Sequence, residues 1–470
     1  MKGLSSKRQD RRNTCHTLRW MKKRIVKQTY KDTSTVTKLV LIAKKARENK
    51  GSKFSSLSYL LDKEYLLDCY AQLEKRKVAG IDGRTVESYT KEEIHTVLTQ
   101  TVFQLKARDY QPQPVRRVSI RKDNGKKRTL GIPTVIDKVV QMGMARILNS
   151  IYEPSFLETS FGYRKGRDAH ACLKEVNHMI MQKKVNYIID CDIKGFFDNI
   201  DHATMMRCIE QRINDPHFKR LIWKILKSGV MEGNAHRTTT DKGTPQGGII
   251  SPILANIYLH YVLDLWMRLR ENKRLKGFTQ LIRYADDFII GVQYKEEAEM
   301  LLNDITNRLK QFSLEFSGEK TKIIEFGRFA QENREKRGDR KPETFTFLGF
   351  THYCTKTVDG RFMIRVKTSR VKMKKAIVAM KSFLKISRTH ELADIWNKTS
   401  SKLTGHYNYY GVSGNFEVIQ RFYKKTLYLL FKWLNRRSQK KGFSWGGFLR
   451  YLSHYPLPKP KLTYAIYNTW

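Results

Sequence analysis

Residues 281–292 read Leu-Ile-Arg-Tyr-Ala-Asp-Asp-Phe-Ile-Ile-Gly-Val. Apolar runs on both sides of an acidic pair describe two short strands meeting at a turn that holds Asp286 and Asp287. A third acid is delivered the same way upstream. Residues 186–193, Asn-Tyr-Ile-Ile-Asp-Cys-Asp-Ile, form a dense strand with Asp192 at its end. A hairpin can set Asp286 opposite the end of that strand.

Carboxylates gathered without a cation raise one pKa sharply, because like charges disfavour joint ionisation. A divalent cation removes that penalty. Hard oxygen ligands with open positions suit magnesium, which shares its shell with water and phosphate. Two such ions ~3.5–4 Å apart activate an attacking 3′-hydroxyl and stabilise leaving pyrophosphate. The plainer reading is an ordinary turn, where aspartate is common. The strand–turn–strand setting, with Asp192 on a preceding strand, favours the metal-holding reading.

Outward from this centre the chain alternates helices and strands. Helical spacing runs through 57–76, 91–107, 134–150, 168–183, 201–213, from the turn at 243–252 to about Arg270, and through 295–311. Strands are expected at 115–120, in a return strand carrying Arg128, Leu130 and Ile132, and at 322–327 and 345–350. Asn124-Gly125 is a hairpin turn signal. Residues 328–343 read as a charged loop with few apolar anchors. Beyond Arg365 a helical, basic region follows, with Met373, Ile377, Met380 and Leu384 on one face and Ile419, Tyr423, Leu427, Leu430 and Leu434 on another.

The 470 residues include 90 Lys and Arg against 45 Asp and Glu, a net charge of +45. That imbalance costs self-repulsion, and a polyanion partner is its usual relief. It is concentrated at the ends: net +14 in residues 1–53 and +20 in 361–470, against +11 in 54–360. Binding of such flanks to nucleic acid falls steeply with salt. The 40% hydrophobic content excludes global disorder. The six cysteines, Cys15, Cys69, Cys172, Cys191, Cys208 and Cys354, contain no C-x-x-C pair, so a cysteine-rich zinc site or disulfide framework is not expected. Neither a membrane span nor a signal peptide is legible, and a cytoplasmic, nucleic-acid-associated location follows.

Several motifs in order carry a family resemblance: Ala79-Gly80-Ile81-Asp82-Gly83, Pro114-Val115-Arg116-Arg117-Val118, Asn124-Gly125-Lys126-Lys127-Arg128 leading to Leu130-Gly131-Ile132-Pro133, and Phe161-Gly162-Tyr163-Arg164. Asp192-Ile193-Lys194-Gly195-Phe196-Phe197-Asp198 follows, then the most specific stretch, residues 243–259 (Gly-Thr-Pro-Gln-Gly-Gly-Ile-Ile-Ser-Pro-Ile-Leu-Ala-Asn-Ile-Tyr-Leu). Tyr284-Ala285-Asp286-Asp287, Lys320-Thr321-Lys322 and Phe347-Leu348-Gly349-Phe350 complete the series, and residues 405–412 resemble the domain that follows. With these motifs the chain resembles bacterial group II intron-encoded reverse transcriptase/maturases.

The resemblance implies an α+β, right-hand polymerase of fingers, palm with antiparallel sheet, and helical thumb. It divides the chain into a basic amino-terminal arm (1–56), an extension leading into the fingers (57–110), fingers and palm (111–360), and a helical thumb or maturase domain with a basic tail (361–470). It implies RNA-templated DNA synthesis with two Mg2+ ions (Mn2+ as a substitute) held by Asp192, Asp286 and Asp287, with the backbone of Ile193 touching metal. Lys122 and Arg128 match positions that hold the incoming triphosphate, or they form a generic basic hairpin on template. Phe197 matches the bulky residue under the sugar that excludes a 2′-hydroxyl, or it packs in the core while Phe196 points the other way on an alternating strand. Gln246 approaches the nucleotide, or it belongs to a helix-start turn. Lys320 faces the primer or nucleotide, or only solvent. The implied partners are intron RNA, an RNA template with a DNA or RNA primer, deoxynucleoside triphosphates and target DNA. The aromatics Tyr407, Tyr409, Tyr410, Phe422, Tyr423 and Trp433 either stack bases or fill a helical core.

Many relatives continue into a cysteine- and histidine-bearing endonuclease module. No cysteine follows Cys354, so second-strand cleavage is not expected of this chain. Three competing readings stand beside the polymerase–maturase: a splicing cofactor with an idle polymerase, a domesticated intron-free reverse transcriptase in host defence or repair, and an RNA-directed RNA polymerase. Phe197 argues against the last.

Overall fold

A computed structural model describes residues 33–75, 77–121, 127–232, 236–238, 242–244, 247–273, 275–318, 321–339, 341–437 and 442–467. Helices α1 (Thr33–Glu48), α2 (Lys63–Ala71) and α3 (Lys91–Ala107) lead into strands β1 (Val115–Arg121) and β2 (Lys127–Ile132) and helix α4 (Val135–Tyr152). Then come β3 (Ser160–Phe161), α5 (Ala169–Gln182), β4 (Tyr187–Asp192), α6 (Phe196–Asn199), α7 (His202–Glu210), α8 (Pro216–Leu226), β5 (Val230–Glu232) and β6 (His236–Thr238). Helices α9 (Ser251–Leu259) and α10 (Leu265–Lys273) precede the hairpin of β7 (Thr279–Tyr284) and β8 (Asp287–Val292). The remainder is α11 (Lys295–Gln311), β9 (Lys322–Glu325), α12 (Ala330–Lys336), β10 (Phe345–Phe347), β11 (Phe350–Lys356), β12 (Phe362–Thr368), α13 (Arg370–Ile386), α14 (Leu392–Tyr410), α15 (Phe416–Leu434) and α16 (Trp445–His454).

Two compact units emerge. Their described residues come from Met1–Ser155, Ile209–Thr239 and Gly247–Ile250 in one, and from Phe156–Cys208, Thr240–Gln246 and Ser251–Trp470 in the other. The first unit holds a sheet of order β2-β1-β5-β6. Strands β1 and β2 are antiparallel with Arg121 opposite Lys127, so the hairpin expected around Asn124-Gly125 forms, although its loop lies outside the described residues. Helix α4 fills the core with Val139, Val140, Met144, Ile147 and Leu148. Helix α3 starts where Thr90 and Glu93 cap each other.

The helix expected through 57–76 is broken. Ser58–Leu60 make a 3₁₀ turn, and α2 begins at Lys63 because the Asp62 carboxylate accepts from the Tyr65 amide. Leu57, Leu60, Leu61 and Leu66 stay buried, so the apolar pattern was sound and the cap decided the boundary. Helix α8 was missed. Asp215 Oδ1 accepts from the amides of His217 and Phe218, Pro216 takes the first turn, and Asp215 Oδ2 ties down Leu57 and Ser58. Burial opposes ionisation there, but these hydrogen bonds hold the Asp215 carboxyl below its ordinary range.

The second unit is built on a sheet of order β3-β7-β8-β4-β9. Residues 288–292 of β8 are buried throughout, as a central strand requires. Helix α5 packs Cys172, Val176 and Met179 against Ile188, Ile282, Ile289 and Ile324 of the sheet. Beside it β10, β11 and β12 form an antiparallel sheet. Helices α13 to α16 close on a core that includes Leu384, Leu403, Ile419, Leu430 and Phe448. Tyr407, Phe422 and Trp433 are buried in that core, and Tyr410 and Tyr423 pack against it. Tyr409 packs on a neighbouring cluster with Phe350. The core reading therefore holds for Tyr407, Phe422 and Trp433, while Tyr409, Tyr410 and Tyr423 are half-buried at the edge of their clusters.

Two further expectations are corrected. The long helix after residue 251 is interrupted by a π-helical segment, His260–Asp264, between α9 and α10. The charged loop 328–343 contains α12. Its anchors are polar: Arg334 pairs with Asp339 and Glu343, and Arg337 and Asn333 both grip Glu325. No described helix is long and apolar enough to cross a membrane.

Candidate functional site

The acids meet at the end of the second unit's sheet. Strands β4 and β8 are antiparallel with Asp192 directly opposite Asp287. Such residues have Cα atoms about 4.5–5.5 Å apart and side chains on one face. Their neighbours Cys191 and Phe288 face the other way and are fully buried. Tyr284 pairs with Asp287, so Ala285 and Asp286 alone make the turn. Asp192, Asp286 and Asp287 are each half-buried.

The negative charge is felt nearby. Burial pushes the Cys172 thiol well up, and Asp287 adds to it; burial does the same at Cys191, reinforced by Asp190 and Asp287. A carboxylate donor set of this kind fits Mg2+ or Mn2+, which take oxygen ligands. Among the described residues no three His, Cys, Asp or Glu side chains close on a common point, so the acids form an open edge and not a finished cage.

The turn is strained and held from outside. Ala285 has φ 56°, a left-handed conformation that costs a non-glycine residue ~1–3 kcal/mol. Its amide donates to Phe161 O at 3.0 Å, and its carbonyl accepts from Arg283 Nη1 at 2.9 Å. Gly162 passes so close that a Cβ there would stand 2.9 Å from the Ala285 nitrogen.

Other sequence candidates gather around Asp192. Ile193 is buried and bridges Phe316, and Ser317 N donates to Asp192 O at 2.8 Å. Gly195, at φ 56°, turns the chain into α6. Phe196 and Phe197 therefore do not alternate: both are buried in that helical turn, with ring centroids 5.4 Å apart. Thr244 N donates to Phe197 O and Gly243 N to Ile200 O, which docks the start of the 243–259 motif on the Phe197 turn. Gly243 is required there, since a Cβ would meet Asp198 O at 3.0 Å on a φ of 91°. Lys122, Gln246 and Lys320 lie outside the described residues. In the first unit the Arg128 backbone pairs with Ile120 in the β1–β2 hairpin, and its side chain is outside the described set.

Sequence reasoning missed the residues beneath the turn. Arg283 is fully buried and chelates Asp264 through Nε–Oδ1 at 2.7 Å and Nη2–Oδ2 at 2.6 Å. It also reaches Asn256 and Ser160. The available signal was a lone arginine in an apolar strand, which demands a buried partner.

Comparison with known proteins meets this geometry. A family described as "Reverse transcriptase (RNA-dependent DNA polymerase)" matches residues 120–352, which span β2 to β11 and every acid above. The chain is 33% identical over 465 residues to "Group II intron-encoded protein LtrA" of Lactococcus lactis subsp. cremoris, covering 83% of this chain and 76% of that one. It is 34% identical over 244 residues to "Protein YkfC" of Escherichia coli (strain K12), 46% of this chain and 64% of that one. It is 28% identical over 345 residues to "Putative COX1/OXI3 intron 1 protein" of Saccharomyces cerevisiae, 62% of this chain and 40% of that one. A relative this similar over most of both chains, with a polymerase domain around the paired acids, settles the matter: the chain belongs to the group II intron-encoded reverse transcriptase/maturase family and carries an RNA-dependent DNA polymerase domain.

Proposed function

We propose that this polymerase copies intron RNA into DNA at Asp192, Asp286 and Asp287, and that the same protein binds its intron RNA to assist splicing and mobility. The observation that carries the first part is the register of Asp192 opposite Asp287 with Asp286 at the turn. The second part draws on the basic ends of the chain and on the likeness to an intron-encoded relative.

In this reading the second unit supplies palm and thumb and the β1–β2 hairpin belongs to the fingers. The three aspartates and the Ile193 carbonyl hold divalent magnesium, or manganese in its place. When bound, the two ions supply an activated primer 3′-hydroxyl and neutralise charge on the departing pyrophosphate. The protein's own groups do the rest. Lys122 and Arg128 orient the triphosphate by charge-assisted hydrogen bonds. Phe197 excludes a ribose 2′-hydroxyl, Gln246 lies along the nucleotide, and Lys320 faces the primer end. The basic flanks hold the template and structured RNA through phosphates.

Primer extension on an RNA template with Mg2+ and deoxynucleotides tests the polymerase site. Wild-type protein should extend, and Asp286→Asn/Asp287→Asn should not; undiminished extension by the double variant overturns the assignment. Phe197→Ala should raise ribonucleotide incorporation. Splicing of the flanking intron, with and without protein, tests the maturase half.

A further inference from the structure

We infer that Arg283 is a positioning residue for the metal-holding turn: it sets Asp286 and Asp287 by gripping the Ala285 carbonyl from below. The inference rests on the proposed role of those two acids.

All five Arg283 N–H donors are used. Two chelate Asp264, two reach Ser160 Oγ at 2.7 Å and Asn256 Oδ1 at 3.1 Å, and the fifth donates to Ala285 O at 2.9 Å. The first four of these bonds, to three partners, fix the guanidinium plane. Asp264 is itself aimed by the π segment, where the helix takes one residue more per turn and its phase shifts; such segments are frequent at functional sites. Asn256 spends its amide on Gly162 O at 3.0 Å, and Gly162 is the residue crowded against the Ala285 nitrogen. One connected network thus touches the turn from two sides.

Stability alone does not account for this arrangement. Replacing a buried ion pair by apolar residues of similar volume is often neutral or stabilising. What an apolar pair cannot do is donate to a carbonyl inside a two-residue turn whose first residue is a left-handed alanine. With its amide on Phe161 O and its carbonyl on Arg283, Ala285 has both backbone polar groups occupied. The peptide that follows carries Asp286, so rotation of that carbonyl would swing the acid away from Asp192.

The test is Mn2+ binding to the purified full-length protein, followed by the electron paramagnetic resonance signal of free Mn2+, alongside kcat and KM for deoxynucleotide. Wild type should bind and Asp286→Asn/Asp287→Asn should not; failure here overturns the metal-holding reading itself. Arg283→Lys keeps the charge facing Asp264 but loses the fork. It should bind Mn2+ at least tenfold more weakly and lose at least tenfold in kcat, with KM within twofold. A folded Arg283→Lys protein with wild-type Mn2+ affinity overturns the inference while leaving the metal site standing. Asp264→Leu/Arg283→Met removes both buried charges together and should show the same tenfold weakening in a folded protein; wild-type affinity in it is equally fatal. Failure of both variants to fold assigns Arg283 to folding and also overturns it.

Discussion

Two hairpins in the second unit turn in two residues, and they are held in opposite ways. The β10–β11 hairpin turns at Leu348 (φ 50°) and Gly349 (φ 80°), with Phe347 paired to Phe350. Positive φ at both positions is the geometry that suits the twist of a hairpin, and glycine supplies half of it without strain. The β7–β8 hairpin turns at Ala285 and Asp286, with no glycine between the strands. Each turn receives one side-chain donor on its first carbonyl: Tyr409 Oη on Leu348 at 2.9 Å, and Arg283 Nη1 on Ala285 at 2.9 Å. The tyrosine is a single neutral hydroxyl added to a turn that local chemistry already favours. The arginine is the visible end of a buried network drawn from β3, α9 and the π segment. A turn that must present carboxylates is specified by distant residues; a turn that only reverses the chain is specified by itself.

The sharpest way to break this contrast is to remove the acids. Asp286→Asn/Asp287→Asn should lower primer extension by roughly 10³-fold, about 4 kcal/mol of barrier, with an unchanged melting temperature. Single-turnover extension beside calorimetry reads both.

The next effect separates the two turns. Gly162→Ala puts a Cβ against Ala285 N at a φ of 83° and should cost ~1–3 kcal/mol of stability together with most Mn2+ binding. Gly349→Ala strains a turn of similar φ and should also cost ~1–2 kcal/mol, yet leave activity per folded molecule within twofold. Equal damage to activity from both would erase the distinction.

A smaller effect concerns acid. His352 lies on the β10–β11 hairpin opposite Phe345, stacked on its ring with centroids 4.5 Å apart. Burial lowers its pKa from 6.5 to about 3. The unfolded chain therefore takes up a proton that the folded one refuses between those values. Stability from this group is full above pH 6.5 and falls as pH drops toward 3, at no more than ~1.4 kcal/mol per pH unit. His352→Leu should flatten that part of a denaturation-versus-pH curve; an unchanged slope would show that His352 is not buried neutral.

The smallest is Tyr409→Phe. Loss of one hydroxyl donor should cost ~1 kcal/mol in denaturant melts, with no change in Mn2+ affinity, against the tenfold expected for Arg283→Lys.

Much of this was legible beforehand. The dense strand ending at Asp192 and the apolar runs flanking Asp286-Asp287 were legible as strands, because a central strand must be apolar and a turn polar. Helical spacing marked α3 and α5, and the structure starts them with caps at Thr90 with Glu93 and at Asp168 that act within three residues. The same local chemistry starts α8 at Asp215-Pro216. The miss at α12 was different in kind. Its anchors, Glu325, Asp339 and Glu343, flank it in sequence but become partners only once the chain folds back. The alternation expected at Phe196-Phe197 failed for a further reason: Gly195 in a left-handed conformation ended the strand early.

The amino-acid sequence alone determined which segments are strands, where the carboxylates sit along them, and that positive charge gathers at the ends, since periodicity, turn chemistry and charge are read between near neighbours. Only the tertiary structure decided that Asp192 faces Asp287, that α9 and α10 part at a π segment, and that Arg283 joins Asp264, Asn256, Ser160 and Ala285. Those partners lie up to 123 residues from Arg283. A buried guanidinium selects them by where five fixed donors point, and that direction exists only after the sheet has formed.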